Sequence, residues 1–336
     1  MTASSKVKVL YVLGAGRSGS TLLDRLLGQI DGFFSIGELK WIWRLVYGEE
    51  QLCGCGVPFR GCPFWTAVFR RAFGGMENLG PRMRELSTSL LRLRQLPQLL
   101  CPRIDRTFRD DLAYFSQTLG TLFRATQQVS GCRVLIDSSK FNRDCIVLSR
   151  LRDIDLRVVH LVRDSRAVAY SWLRKKKRPE YYLRTAFMYQ LDIKVSSREW
   201  LCTNAMSESL RPWLRHYVRL RYEDLVADPR GTLSRLCEAI GEPAPALDFL
   251  AGQTAYLGKG HTVAGNPVRF DEGPVPIRPD MEWVEKMDER QKALVARITW
   301  PLLRYYGYQR QGGCHPSRAP NPLPVLRPAC VEGRVS

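Results

Sequence analysis

The chain has 336 residues, 45% of them hydrophobic, and a formal net charge of +18 at pH 7. This length and composition suit one large α/β core, whereas ten cysteines scattered along the chain exclude a small disulfide-rich scaffold. The charge favours an anionic partner, which includes nucleic acid, an acidic membrane surface and a polyanionic small molecule, but it does not choose among them.

The first predicted element is a buried strand over residues 7–13, and a glycine-rich loop over 14–21 follows it directly. Apolar residues at helical spacing then predict a helix over 21–30. A strand, a glycine-rich loop and a helix in this order are the context of a phosphate-binding loop, because backbone N–H groups and the helix dipole converge there on an anion. We therefore expect the loop to hold a phosphate group of a nucleotide.

The rest of the chain predicts alternating elements. Residues 41–130 carry no strong strand pattern and predict an arginine-rich helical insertion or cap, whose longest helix, over 108–128, stops at Gly131. Further strands are predicted over 33–37, 133–137, 156–162 and 216–220, with helices that begin near Asp164 and at Asp228.

This alternation predicts an α/β fold of three layers, in which a central, mostly parallel sheet with a P-loop-like phosphate-binding loop carries helices on both faces. Ligands of such folds lie at the carboxyl ends of the strands. We expect a single domain over residues 1–310. Residues 311–336 are rich in proline, glycine and arginine, which predicts a flexible tail.

The glycine-rich loop matches two general patterns, and neither match is specific. Gly14, Gly16 and Gly19 fit the G-x-G-x-x-G pattern of dinucleotide-binding proteins. Gly14, Gly19 and Thr21 also fit a P-loop, except that Ser20 stands where the lysine belongs. The loop therefore lacks the group that reaches the terminal phosphates in a P-loop kinase.

The loop also carries Arg17, which the dinucleotide pattern does not require. One cation, several backbone N–H groups and two hydroxyls at a helix N-terminus suit a single 5′-phosphate that carries a reactive group. Arg17 would then lie over the bridging oxygen and stabilise the negative charge that develops on it.

Residues 16–23, with the sequence GRSGSTLL, resemble the 5′-phosphosulfate loop of the sulfotransferases that use 3′-phosphoadenosine 5′-phosphosulfate (PAPS). Arginine in place of lysine is most similar to the carbohydrate and tyrosylprotein branches, in a bacterial-type soluble form. The resemblance implies that the loop cation contacts the leaving group and that the rest of the loop binds the 5′-phosphate. The residues that receive these roles are Gly16, Arg17, Ser18, Gly19, Ser20 and Thr21.

A second motif resembles the family's 3′-phosphate site, with Arg163 at the end of a predicted strand and Ser171 eight residues later. Arginine supplies a charged fork for phosphate oxygens, and serine a short neutral donor. An isolated pair of this kind is more typical of a strand-capping arginine and a surface serine, but next to a matching 5′ loop we favour the phosphate site. The basic run over 174–178 either is a solvated face, adds positive potential near this site or recruits an acidic acceptor.

Sulfuryl transfer to a hydroxyl requires a base for the acceptor proton and cations around the sulfonate. Glu38 follows a predicted strand, lies 21 residues after Arg17 and resembles the glutamate base of the tyrosylprotein sulfotransferases. A surface or helix-capping glutamate is the alternative, and the dinucleotide pattern would place Glu38 on a ribose. Lys140, which also follows a predicted strand, resembles the family's second active-site cation, with Ser138 as the alternative.

Two later segments extend the resemblance. Tyr222, in the sequence RYEDL, is similar to a family tyrosine that lines the adenine or ribose, although a core tyrosine fits equally well. The glycine-rich residues 258–270 resemble the segment that folds over the 3′-phosphate and adenine. This likeness implies His261, Asn266 and Arg269 as candidate donor-binding residues.

Cys53, Cys55 and Cys62 form a cluster with C-x-C-x₆-C spacing. Structural zinc sites have four ligands, usually in paired spacing, and the sequence offers no obvious fourth ligand. A local disulfide and plain buried thiols fit this spacing equally well. We therefore assign no metal from the sequence.

The resemblance implies a PAPS-dependent sulfotransferase that moves a sulfonate group to a hydroxyl acceptor by in-line transfer and requires no metal. A P-loop-type small-molecule kinase is one alternative, with residues 134–137 as a Walker B strand. A non-enzymatic nucleic-acid-binding protein is the other, but no known binding motif supports it, so we expect no nucleic-acid partner.

The sequence leaves open whether the acceptor hydroxyl belongs to a small molecule, a carbohydrate, a lipid or a peptide. Aromatic residues of the insertion are candidates for its pocket, namely Trp41, Trp43, Phe64 and Trp65. No stretch of about 20 apolar residues predicts a membrane span. We therefore expect a soluble, cytoplasmic protein, and the choice between a monomer and a homodimer stays open.

Overall fold

The computed structural model describes residues 6–79, 81–101 and 105–309, so the predicted tail over 311–336 lies outside the described residues. Its main sheet has five strands, which are β1 (Val7–Leu13), β2 (Phe33–Gly37), β3 (Val134–Lys140), β4 (Ile154–Val162) and β5 (Tyr217–Arg221). They lie in the order β2-β3-β1-β4-β5, and every neighbouring pair is parallel. The prediction of a parallel central sheet is confirmed.

The described residues also form thirteen α-helices. They are α1 (Ser20–Leu27), α2 (Ile42–Val46), α3 (Pro63–Phe73), α4 (Arg82–Ser89), α5 (Leu96–Leu100), α6 (Arg106–Ser130), α7 (Asn142–Ser149), α8 (Ser165–Leu173), α9 (Ile193–Leu210), α10 (Tyr222–Ala227), α11 (Pro229–Ala239), α12 (Glu282–Lys286) and α13 (Glu289–Tyr305). Within the described part of the chain, none of the helices is both long enough and apolar enough to span a membrane.

Helices cover both faces of the sheet. Along β1, Val9, Tyr11 and Leu13 pack into one apolar core with α3 and α6, whereas Leu10 and Val12 pack into a second core with α1 and α11. Successive side chains of a strand point to opposite faces, so a strand buried on both sides must be apolar almost throughout. This arrangement confirms the three-layer α/β architecture.

The described residues between 41 and 130 contain helices α2 to α6. The Asp105 carboxylate caps α6 by accepting a hydrogen bond from the N–H of Phe108, and the helix ends at Gly131, where φ is +67°. A left-handed backbone at this position favours glycine, so Gly131 predicts the end of the helix correctly.

Sequence analysis did not predict two parts of the fold. A second, antiparallel sheet consists of β6 (Leu250–Ala251), β7 (Thr254–Leu257) and β8 (Gly273–Pro276), and helices α9 and α13 pack together beside α8. The long connection from β7 to β8 contains the glycine-rich residues 258–270. It returns to the main sheet, where Val263 forms a parallel bridge with Gly37 at the carboxyl end of β2.

Candidate active site

The phosphate-binding loop lies at the carboxyl end of β1 and leads directly into α1. Gly19 precedes α1 with φ at +91°, and a Cβ there would lie 2.4 Å from the ring of Tyr222. Gly14 has φ at +141°, and its Cβ would lie 2.3 Å from the carbonyl oxygen of Leu161. No side chain caps the N-terminus of α1 within the described residues, so its first N–H groups can hold an anion.

Replacing Gly19 with alanine is expected to impair the loop, because alanine meets both an unfavourable backbone angle and the Tyr222 ring. The left-handed backbone alone costs about 1–2 kcal/mol. Gly131→Ala is the matched control, since Gly131 also has a positive φ, at +67°, but has open space around its Cβ. We expect Gly131→Ala to lower the melting temperature only, and Gly19→Ala also to weaken binding of adenosine 3′,5′-bisphosphate in calorimetry. Equal affinities in the two variants would contradict this account of the loop.

Arg17 lies in the loop with φ at +67° and is held by packing. Its guanidinium lies 4.6 Å above the ring of Trp172, and its Nη1 lies 3.0 Å from Met188 Sδ. Its Nε and Nη2 are buried and have no hydrogen-bond partner among the described residues. Burial lowers the pKa of Arg17 to about 10, against the opposing charge of Glu38, so the side chain stays charged at neutral pH and keeps donors for a ligand.

The predicted 3′-phosphate residues lie beside this loop. Arg163, at the end of β4, is 5% exposed, and its Nη1 donates to the carbonyl oxygen of Arg17 at 3.1 Å. Its guanidinium lies 4.5 Å above the ring of Tyr222, the same ring that packs against Gly19. Ser171 is buried on α8. The structure thus joins the two motifs through Tyr222.

The basic run over 174–178 contributes to this region through every second residue. Arg174, Lys176 and Arg178 are partly buried, whereas Lys175 and Lys177 are exposed. Burial and the nearby cations Arg174, Arg17 and Arg163 lower the pKa of Lys176. One side of the run is therefore partly buried near Arg163 and Arg17, and only the other side is a solvated face.

Glu38 and Lys140 meet at the carboxyl ends of the neighbouring strands β2 and β3. Glu38 Oε1 lies 2.5 Å from Lys140 Nζ, and its Oε2 accepts a hydrogen bond from Trp41 Nε1 at 3.0 Å. A Cβ on Gly265 would lie 3.7 Å from Glu38 Oε1 and 3.8 Å from Thr21 Oγ1. The carboxylate, the second cation and the nucleotide loop are therefore neighbours, as the sequence predicts.

The segment over 258–270 differs in part from its predicted role. The N–H of Asn266 contacts Thr21 Oγ1 at 3.4 Å, which places Asn266 against the loop. Arg269 is 2% exposed and donates to the carbonyl oxygens of Thr262 and Leu52, at 2.7 and 2.8 Å. In contrast to the predicted contact with a donor, the Arg269 guanidinium binds backbone and holds two loops together.

His261 also differs from its predicted role. Its Nδ1 lies 3.3 Å from Cys62 Sγ and 4.0 Å from Cys53 Sγ, and its ring stacks on Phe64 at 4.9 Å. The imidazole therefore faces a group of thiols. The contact between Cys62 and His261 has no local sequence pattern, because the two residues lie 199 residues apart.

The four aromatic residues predicted to line the acceptor pocket have different surroundings. Trp43 and Trp65 are 2% and 0% exposed and belong to the apolar core, which excludes them as acceptor contacts in this conformation. Phe64 packs on His261. Trp41, through its hydrogen bond to Glu38, is the candidate that borders the Glu38 carboxylate.

Two residues of the site were missed by sequence analysis. Trp172 packs under Arg17, and a Cβ on Gly16 would lie 2.7 Å from its ring, so it supports the loop at two points. Asp280 Oδ2 lies 3.1 Å from Arg163 Nη2 and 3.0 Å from Arg174 Nη2. Trp172 follows Ser171 directly and could have been found, whereas no sequence pattern surrounds Asp280.

The model of the sulfotransferase family matches residues 10–246. Mouse carbohydrate sulfotransferase 7 is 25% identical over 368 residues, covering 90% of this chain and 74% of the relative. Human carbohydrate sulfotransferase 2 is 27% identical over 288 residues, covering 70% of this chain and 53% of the relative.

Two solved structures share the fold. The sulfotransferase domain of the Synechococcus PCC 7002 olefin synthase is 20% identical, with a TM-score of 0.51 over 92% of this chain and 98% of that one. The sulfotransferase domain from the curacin biosynthetic pathway is 17% identical, with a TM-score of 0.51 over 91% of this chain and 99% of that one. Neither the kinase nor the nucleic-acid alternative gains support. The family match covers more than two thirds of the chain and confirms the predicted PAPS-dependent sulfotransferase, so the chain belongs to the sulfotransferase family.

Proposed function

We propose that this chain transfers the sulfonate group of PAPS to a hydroxyl group of a carbohydrate. The observation that carries the proposal is the meeting of four predicted side chains at the carboxyl end of one parallel sheet. Arg17 and Arg163 lie together after β1 and β4, and the Glu38–Lys140 pair lies at the carboxyl ends of β2 and β3. Ligands of open parallel sheets bind at this edge.

The residues of the loop fit the phosphosulfate group of the donor. Arg17 has two buried guanidinium nitrogens, Nε and Nη2, without a partner among the described residues, and the buried Ser18 Oγ likewise has none there. Unpaired buried donors of this kind are costly unless a ligand satisfies them. Together with the free N-terminus of α1, they form an anion site, and Arg163 and Tyr222 extend it for the 3′-phosphate side.

The reaction then follows from the positions of the side chains. The acceptor oxygen attacks the sulfur, the bond from sulfur to the bridging oxygen breaks, and adenosine 3′,5′-bisphosphate leaves with the bond electrons. Arg17 stabilises the charge on the departing oxygen, and Lys140 stabilises the sulfonate oxygens. Glu38 takes the acceptor proton. Its contact with Lys140 keeps the carboxylate in place until the acceptor binds.

A carbohydrate acceptor is supported by the names of the curated relatives and by the segment between α8 and α9. This segment touches Arg17 through Met188, and its Tyr182, Phe187 and Tyr189 are 43%, 42% and 74% exposed. Exposed aromatic rings with polar edges can cover the apolar face of a sugar ring. We therefore place the acceptor between this segment and Glu38.

Adenosine 3′,5′-bisphosphate is expected to raise the melting temperature in a buffer without added metal, because the proposed donor site consists of protein groups alone. A ligand present at 100 times its Kd stabilises the folded state by about 2.7 kcal/mol. Differential scanning fluorimetry with and without Mg²⁺ measures the shift. No shift at millimolar ligand, or a shift that requires Mg²⁺ and ATP, would favour the kinase alternative instead.

Arg163→Ala is expected to weaken binding of adenosine 3′,5′-bisphosphate about 10- to 100-fold, since a hydrogen bond to a charged group contributes about 1.5–3 kcal/mol. Binding of adenosine 5′-monophosphate should change much less, because that ligand lacks the 3′-phosphate. Arg124→Ala is the control, since Arg124 pairs with Asp153 before β4 begins, at the opposite end of that strand from Arg163. Equal losses of affinity for both ligands would show that Arg163 does not bind the 3′-phosphate.

A further inference from the structure

Three cysteines and one histidine outside the proposed reaction form a compact group, here called the Cys₃His cluster. It consists of Cys53, Cys55, Cys62 and His261, whose ligand atoms all lie within 4.8 Å of one another. The sulfurs of Cys55 and Cys62 are 3.8 Å apart, and Nδ1 of His261 is 3.3 Å from Cys62 Sγ and 4.0 Å from Cys53 Sγ. The histidine is the fourth ligand that the cysteine spacing lacks.

These distances fit a tetrahedral zinc site. Zinc lies about 2.3 Å from sulfur and about 2.0–2.1 Å from nitrogen, which separates the ligand atoms of a tetrahedron by about 3.5–3.8 Å. A disulfide fits less well, because bonded sulfurs lie about 2.05 Å apart and the sulfurs of Cys55 and Cys62 lie 3.8 Å apart. Cys53 and Cys62 are fully buried, so the centre of the group is shielded from water.

Hydrogen bonds to the backbone connect the two parts of the Cys₃His cluster. The N–H of Cys53 donates to the carbonyl oxygen of Val57 at 2.8 Å, which closes a tight turn around Cys55. The N–H of Gly54 donates to the carbonyl oxygen of Thr262 at 3.0 Å, which ties this turn to the residue after His261. Trp65 Nε1 donates to the carbonyl oxygen of His261 at 2.8 Å.

We propose that the Cys₃His cluster binds one structural Zn²⁺ ion. Four protein ligands complete the tetrahedron and leave no open position for a substrate, which separates this site from a catalytic zinc. The ion would join the turn over 53–62 to the segment over 258–270. Two residues after His261, the carbonyl oxygen of Val263 accepts a hydrogen bond from the N–H of Glu38 at 2.9 Å, so this segment borders the active site. The zinc therefore stabilises the backbone that carries the proposed base and takes no part in sulfonate transfer.

The test is the metal content of the full chain, purified without chelators and measured by inductively coupled plasma mass spectrometry. We expect about one zinc ion per chain. Cys55→Ser and His261→Ala are expected to lower the content about tenfold after dialysis against a competing chelator, because each removes one of four ligands. Cys202→Ser is the matched control, since Cys202 is exposed on α9 and lies outside the Cys₃His cluster, and it should keep the wild-type content.

A second measurement keeps the proposal testable if a variant fails to fold. Cobalt(II) exchanged into the wild-type chain should give the strong near-ultraviolet thiolate charge-transfer bands and the visible bands of a tetrahedral site. Absence of zinc and of these cobalt bands would overturn the proposal, and so would recovery of Cys55 and Cys62 as a disulfide in the freshly purified protein. Zinc content equal in the control and in both cluster variants would overturn it as well.

Discussion

Glu38→Gln is expected to lower kcat by about 10²- to 10⁴-fold, the range that general-base catalysis contributes in enzymes. Glutamine keeps the size and one acceptor oxygen for Trp41 Nε1, but it cannot take the acceptor proton. The Kd for adenosine 3′,5′-bisphosphate should remain within about twofold of the wild-type value, because the proposed role of Glu38 concerns the acceptor and not the donor. Steady-state kinetics and isothermal titration calorimetry measure the two quantities.

Glu289→Gln provides the control for this change. Glu289 forms an exposed pair with Lys292 in α13, so the same loss of charge there should leave kcat unchanged. Full activity of Glu38→Gln would show that another group takes the proton. A large loss of bisphosphate affinity would instead show that Glu38 contacts the nucleotide, as the dinucleotide pattern implies.

Arg17→Ala is expected to lower kcat by about 10²- to 10³-fold, the effect of removing one donor that stabilises developing negative charge. Arg17 has two buried guanidinium nitrogens without a partner in the part of the chain that the structure describes, and Trp172 and Met188 hold the side chain in place. Arg17→Lys is the matched variant, since it keeps the charge and has the same left-handed backbone to accommodate. It should recover part of the lost rate.

A readout that separates donor binding from catalysis strengthens this test. The KM for PAPS should rise less than kcat falls, because the charge on the bridging oxygen develops as the bond breaks. Equal kcat for Arg17→Ala and the wild type would contradict the role. A rise in KM with unchanged kcat would assign Arg17 to binding of the ground state only.

The part of the site that the sequence predicted lies close to the ends of predicted strands. Gly14 and Gly19 lie where the backbone has a positive φ and neighbouring atoms leave no room for a side chain. Only glycine suits such positions, so the sequence alone predicts the shape of the loop. Glu38 directly follows β2 and Lys140 is the last residue of β3, and the carboxyl ends of parallel strands lie at one edge of the sheet. Their meeting at 2.5 Å therefore follows from local patterns and one rule of topology.

The remaining parts depend on contacts between distant segments. Asp280 reaches Arg163, and His261 reaches Cys62, because the second sheet and the segment over 258–270 fold back on the first sheet. Neither contact has a spacing that a single sequence can reveal. The roles of individual residues, the single domain and the cytoplasmic location stay predictions, and the choice between a monomer and a homodimer stays open.

Transfer of radiolabelled sulfonate from PAPS to a panel of acceptors is the most direct test of the central claim. The panel should contain oligosaccharides, phenols, lipid headgroups and tyrosine peptides, with Glu38→Gln and Arg163→Ala assayed in parallel. We expect label on a carbohydrate hydroxyl without added metal, and far less label with either variant. No transfer to any hydroxyl acceptor, or transfer of phosphate from ATP instead, would contradict it.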